Sequence, residues 1–195
     1  MYLTPNKIKY KKGMLAMKRV LFVIAILAAM SIMTAFNDAA AQTAGTLSKS
    51  DKDFVTRAAQ DGMAEVALGE LATRMASNEE VKQFAQRMVD DHTKANNELK
   101  ELASKEGITF PNEMSGKQKA LQDRLAKLSG ADFDREYMRA MVKDHDSAVA
   151  LFEKQARSGG DPELKAWAEK TLPTLREHQQ IARDLASKVG AKASD

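Results

Sequence analysis

Four stretches of roughly 26 to 29 residues place their apolar side chains at intervals near 3.6, the repeat of one face of an α-helix. Between residues 50 and 190 little is left over from which a sheet could be built. A helix with one apolar stripe must bury that stripe against a partner, and four of similar length do so by packing on one another. The fold expected from this pattern is all-α, a four-helix bundle.

The first stretch runs from Ser50 to about Ala76 and carries Phe54, Ala58, Gly62, Glu65, Leu68, Gly69 and Ala72 inward. Ser50 with Asp53 reads as its N-cap, and Ser77 with Glu80 as the S-x-x-E box that opens the second stretch. So short a turn makes the first two helices antiparallel neighbours. The second stretch, with Val81, Phe84, Met88, His92 and Leu99 inward, closes at Gly107, a residue suited to the left-handed position after a helix. Residues 107–130 differ: Pro111 disfavours helix before it, and only a shorter helix over about 116–128 is expected. This long connection can cross the length of the bundle. The third stretch covers about 131–157. The fourth opens on Asp161-Pro162-Glu163, a cap followed by a first-turn proline and acid. Pro173 falls inside it, where a kink is expected.

The only three histidines, His92, His145 and His178, sit near the centres of the second, third and fourth stretches, and Glu65 is central in the first. All four lie on the apolar stripes. At 1.5 Å per residue the helices are about 40 Å long, and these four residues fall within about 4 Å of mid-height. Their convergence has two explanations. One divalent transition-metal ion (zinc, iron or manganese) is held by the three imidazoles and the Glu65 carboxylate, or the four side chains satisfy one another as a hydrogen-bonded polar layer. Asp91, Asp144 and Glu177 each precede a histidine and are placed to accept the free N–H of a neighbouring imidazole. The E-x-x-H pairs of di-iron bundles are missing, since Val89, Val142 and Leu175 stand three residues before the histidines. That argues against a dinuclear redox enzyme and leaves a mononuclear site as the most the layer can form.

The first 41 residues read separately. Six basic residues precede an apolar run from Val20 to Met33, and Ala39-Ala40-Ala41 follows, the pattern of a secretory signal peptide. The apolar run is short for a membrane span, which needs about 20 residues. Residues 42–49 are expected to be a flexible tail, 50–190 the bundle, and 191–195 a second tail. Without the leader the chain has 24 basic and 26 acidic residues, so its net charge is −2 and gives no case for nucleic acid. There is no cysteine, which excludes thiolate ligands and cysteine nucleophiles. The expected location is the periplasm. No protein partner is readable, and homo-oligomers remain open.

The run F-V-x-x-A-A-x-x-G-M-x-E-V-x-L-G-x-L-A, from Phe54 to Ala72, and V-K-x-F-A-x-x-M-V-x-D-H-x-x-A-N, from Val81 to Asn96, resemble a secreted bacterial family, domain of unknown function 4142. The resemblance implies a ferritin-like four-helix bundle in the bacterial envelope, with a long connection between its second and third long helices. It implies no settled activity. The functional expectation is a binding or structural module with a metal or polar layer at its centre; the alternative is a metal-free envelope protein that meets a partner through an apolar patch.

Overall fold

Ser48 accepts the backbone N–H of Asp51 at 3.1 Å and so starts α1 (Lys49–Met75) two residues before the Ser50 cap expected from sequence. The computed structural model describes residues 47–191. The expected leader, residues 42–46 of the expected tail and residues 192–195 lie outside the described residues, while Ser48 and Lys49, expected in that tail, cap and open α1. Asn78 caps α2 (Glu79–Lys105), accepting from Glu80 and Val81. Ser77 is not the cap, because its N–H and hydroxyl both donate to Asp134. After α2, Gly107 takes φ +64° and Ile108 donates to Ala103, closing the helix as its sequence suggested. The short helix α3 (Gly116–Leu125) opens with a capping box between Ser115 and Gln118 and ends three residues before the expected boundary. It buries only Leu125 fully. The last two are α4 (Gly130–Ser158) and α5 (Pro162–Lys188), the latter capped by Asp161 and running unbroken through Pro173.

Two buried aspartates fix the topology. Asp134, near the start of α4, accepts from the backbone of Ser77 and Asn78 in the α1–α2 turn, each at 3.0 Å. Asp51, near the start of α1, accepts from Gln155 at 2.8 Å and from the Gly160 N–H in the α4–α5 turn at 3.1 Å. Each hairpin thus clamps the turn of the other. It follows that α4 runs parallel to α2 and antiparallel to α1, the up-down-down-up order of ferritin-like bundles, with residues 106–129 crossing the bundle's length. Helix α3 packs across α1 and α4 on the way.

The core divides in two. Toward the α1–α2 turn, Leu68, Phe84, Met88, Tyr137, Met141 and Leu185 belong to one apolar cluster. Toward the α4–α5 turn, Phe54, Leu99, Phe152, Trp167 and Leu175 belong to another. On every long helix the gap between the clusters falls at the same level, and it is occupied by Glu65, His92, His145 and His178. Trp167 is core, 6% exposed, with its indole N–H donated to Glu98. No helix among the described residues is long and apolar enough to cross a membrane.

Candidate metal centre

Each imidazole comes from a different helix: His92 from α2, His145 from α4 and His178 from α5. Their ring centroids are 5.5 to 5.8 Å apart, and one nitrogen from each lies within 4.8 Å of the other two. His145 and His178 are each 1% exposed; His92 is partly buried, with its Nε2 sealed from solvent. Phe84 closes the cluster on one side, 6.3 to 6.5 Å from the rings of His178 and His145.

Backbone and carboxylate contacts set two of the tautomers. His145 Nδ1 lies 2.9 Å from the Met141 carbonyl one turn earlier, so it carries the proton and donates, and Nε2 keeps its lone pair. His178 Nε2 lies 2.8 Å from Asp91 Oδ2, which leaves Nδ1 with the lone pair. Asp91 is held in turn by Arg87, one turn earlier on α2, and Arg87 grips both oxygens of Glu177 at 2.7 to 2.8 Å. The three flanking acids expected to face imidazoles therefore part company. Asp91 does so. Glu177 acts at one remove, through Arg87. Asp144 makes no hydrogen bond to an imidazole and lies toward Asp61 on α1, because its position around α4 carries it past His145 to the neighbouring wall.

Five polar atoms in this region are buried without a hydrogen-bond partner: His92 Nε2, His145 Nε2, His178 Nδ1, Glu65 Oε2 and the Tyr137 hydroxyl. Glu65, 5% exposed, places Oε1 3.8 Å from His145 Nδ1, beyond hydrogen-bonding reach. The close group thus comprises the three histidines, and Glu65 stands beside it. Burial, then Asp144 and Asp61, push the Glu65 carboxyl well above the usual range. Burial likewise lowers the histidines: His145 to about 4 despite the Met141 carbonyl, His178 despite Asp91, and His92 well below its ordinary value with help from the other two rings. Burial and the nearby Glu65 raise the Tyr137 phenol. All three imidazoles are therefore neutral at pH 7 and able to ligate.

A cavity of about 480 Å³ reaches the layer, lined by α1, α2, α3, α4 and α5 side chains that include Glu65 and all three histidines. The glycines flanking Glu65 serve two purposes. A Cβ on Gly69 would lie 2.9 Å from the Ala85 carbonyl, so its absence lets α1 and α2 approach closely. At Gly62 the Cβ space is filled by the Asn96 carboxamide, which lines the cavity. The residues that sequence reading missed are Arg87, whose spacing of four before Asp91 was a signal, the unpaired hydroxyl of Tyr137, and Asp61, which looks like an ordinary surface acid until α3 covers it.

A family profile described as Domain of unknown function (DUF4142) matches residues 36–185. Two solved structures share the fold. A DUF305 fragment from Deinococcus radiodurans has 15% identity and a TM-score of 0.65 over 73% of this chain and 98% of that one. A DUF305 protein from Streptomyces coelicolor, described as secreted, has 14% identity and a TM-score of 0.65 over 75% and 97%. No curated protein matches this chain.

Proposed function

The chain belongs to the family Domain of unknown function (DUF4142), whose description prescribes no chemistry, and we propose from its central layer that it holds one divalent transition-metal ion on His92, His145 and His178. The observation that carries this reading is that each of the three imidazoles has a buried ring nitrogen without a hydrogen-bond partner, and each brings one ring nitrogen within 4.8 Å of the other two. Leaving such groups unsatisfied costs about 1–3 kcal/mol each. A layer built only to satisfy itself by hydrogen bonds would pair these atoms, whereas His145 and His178 engage one nitrogen each with Met141 and Asp91 and leave the other without a partner, as is Nε2 of His92.

The distances are compatible with an ion. Around a tetrahedral centre with metal–nitrogen bonds of about 2.0–2.1 Å, neighbouring nitrogens stand roughly 3.4 Å apart, so nitrogens within 4.8 Å need approach by little more than an ångström. Imidazole suits zinc and iron, and manganese favours sites with added oxygen donors, which Glu65 supplies at the edge of the group. An ion held by the three imidazoles would have Glu65 beside it as a further oxygen donor, and the cavity they line would give an outside ligand access. The apolar run and small-residue site of the leader, with the secreted description of one structural relative, support export to the bacterial envelope.

Metal analysis tests the reading directly. Protein purified without a metal-affinity tag, or reconstituted with one equivalent of zinc, iron(II) or manganese(II), should retain close to one ion per chain after desalting. The His145→Gln variant should retain little. No retention, together with no thermal stabilisation by any of the three ions, overturns the metal reading and favours the metal-free interaction module.

A further inference from the structure

The cavity that reaches the histidines has walls of uneven character. Its cationic liners Arg57, Lys117, Arg124 and Lys143 are exposed, and Arg139 is paired with Glu136. Arg57 lies near enough to Asp61, and Lys117 and Lys143 near enough to Asp144, to favour the ionised forms of these carboxyls, while salt screens the exposed cations beyond about 10 Å. The carboxylates sit deeper. Asp61 and Asp144 are partly buried on facing helices, Glu65 is buried one turn beyond Asp61 on α1, and Asp144 directly precedes His145 on α4. Asp61 and Asp144 are thus more accessible than Glu65, His145 and His178, so an ion entering from solvent would meet these two carboxylates before the most deeply buried donors. Asp61 is held by Gln118 of α3 at 2.7 Å, so this carboxylate is also the latch that ties the short helix to α1 beside the cavity.

Carboxylates by themselves prove little, and a row of acids is often only a solvated face. Here the same cavity is lined by Glu65, His145 and His178, residues no more than 5% exposed whose Oε2, Nε2 and Nδ1 are buried without partners. We propose that Asp61, Asp144 and Glu65 form a loading path that captures divalent cations at the cavity and passes them to the histidines. This inference rests on the metal reading above. The acids are transit ligands: hard oxygen donors that hold a hydrated divalent ion loosely while imidazoles replace its water. Transit ligands change how fast an ion arrives and leaves, and leave the bound state nearly alone.

Cobalt(II) provides the test, since its visible absorption reports four-coordinate binding. Association and dissociation are followed by stopped flow for the wild type, for Asp61→Asn/Asp144→Asn, and for His145→Gln, each checked by circular dichroism for its helical content. The isosteric double variant should bind cobalt about tenfold more slowly, with a weaker dependence on ionic strength. Its dissociation should slow in step, keeping Kd within about threefold of wild type. His145→Gln should instead lose equilibrium binding. A double variant that loads at the wild-type rate overturns the loading path, as does one whose Kd rises in proportion to the slowed association. Failure of the wild type itself to take up cobalt, zinc or iron(II) removes the metal reading, and the path falls with it.

Discussion

At the level of single residues, the central layer sets two groups of charges against each other. An unfolded histidine takes up a proton below about pH 6.5, while folded His145 stays neutral down to about 4. Between those values the unfolded chain binds more protons, so the stability His145 contributes is lost as pH falls through that window. Asp144 works in the opposite sense. Folded, it keeps its proton up to about 6, because burial and Asp61 disfavour the charge, whereas unfolded it releases the proton near 3.8. Its contribution is lost as pH rises. Urea unfolding across pH 3.5–7.5, in metal-free buffer, should separate the two. His145→Gln should flatten the acid-side loss by up to about 3 kcal/mol between pH 6.5 and 4. Asp144→Asn should stabilise the protein at pH 7 by on the order of 1 kcal/mol, after allowance for its partial exposure, and have no such effect near pH 3.5. Equal pH slopes in all three proteins would contradict both assignments. The histidines were legible in the sequence because a polar residue on an apolar stripe stands out against a period of 3.6. The direction of Asp144 was not, because a shift of one residue around a helix, about 100°, decides between an imidazole and another carboxylate.

Helices and their ends show a similar division. The stripes of the four long helices gave many of the buried residues but not Val55, Ala59 or Ala168, each 0% exposed, and Gly107, at φ +64°, ends α2 where the sequence pointed. The starts of α1 and α2 were displaced, since Ser48, Ser50, Ser77 and Asn78 are all competent caps. At α1 Ser48 caps the N–H of Asp51, whose carboxylate in turn holds the α4–α5 turn, and at α2 distant Asp134 takes both donors of Ser77. An acid near a helix start reads locally as a favourable charge in the first turn or so, and nothing local says that it also receives the turn of another hairpin. Asp134 is 3% exposed and accepts three hydrogen bonds from Ser77 and Asn78. Its replacement leaves two backbone N–H groups unpaired, so Asp134→Ala should destabilise by about 3 kcal/mol in urea unfolding, with Asp134→Asn recovering part of the loss. An alanine variant within 0.5 kcal/mol of wild type would mean that solvent replaces the clamp.

For the molecule as a whole, the two hairpins are joined at three levels. The aspartate clamps act at each end, and the histidine layer acts in the middle, where the apolar core is interrupted. His92 belongs to the α1–α2 hairpin, and His145 and His178 to the α4–α5 hairpin. An ion bound to all three would be a staple across the interface that the interrupted core leaves weakest. Two imidazoles on one hairpin would survive the loss of His92, but their ion would no longer hold the hairpins together. The thermodynamic consequence follows from linkage, because an ion that binds only the folded chain stabilises it by about 2.7 kcal/mol at one hundred times its Kd. Urea titrations with and without zinc at that excess should show this gain for the wild type, mostly as slower unfolding. His92→Gln should show less than about 0.5 kcal/mol at the same zinc concentration, although it keeps the α4–α5 pair. A full gain in His92→Gln would place the ion within one hairpin and remove the staple. In that event the break in the core at mid-height would be bridged by the contacts of Arg87 to Glu177 and of Asp91 to His178, which already link α2 to α5 at the same level.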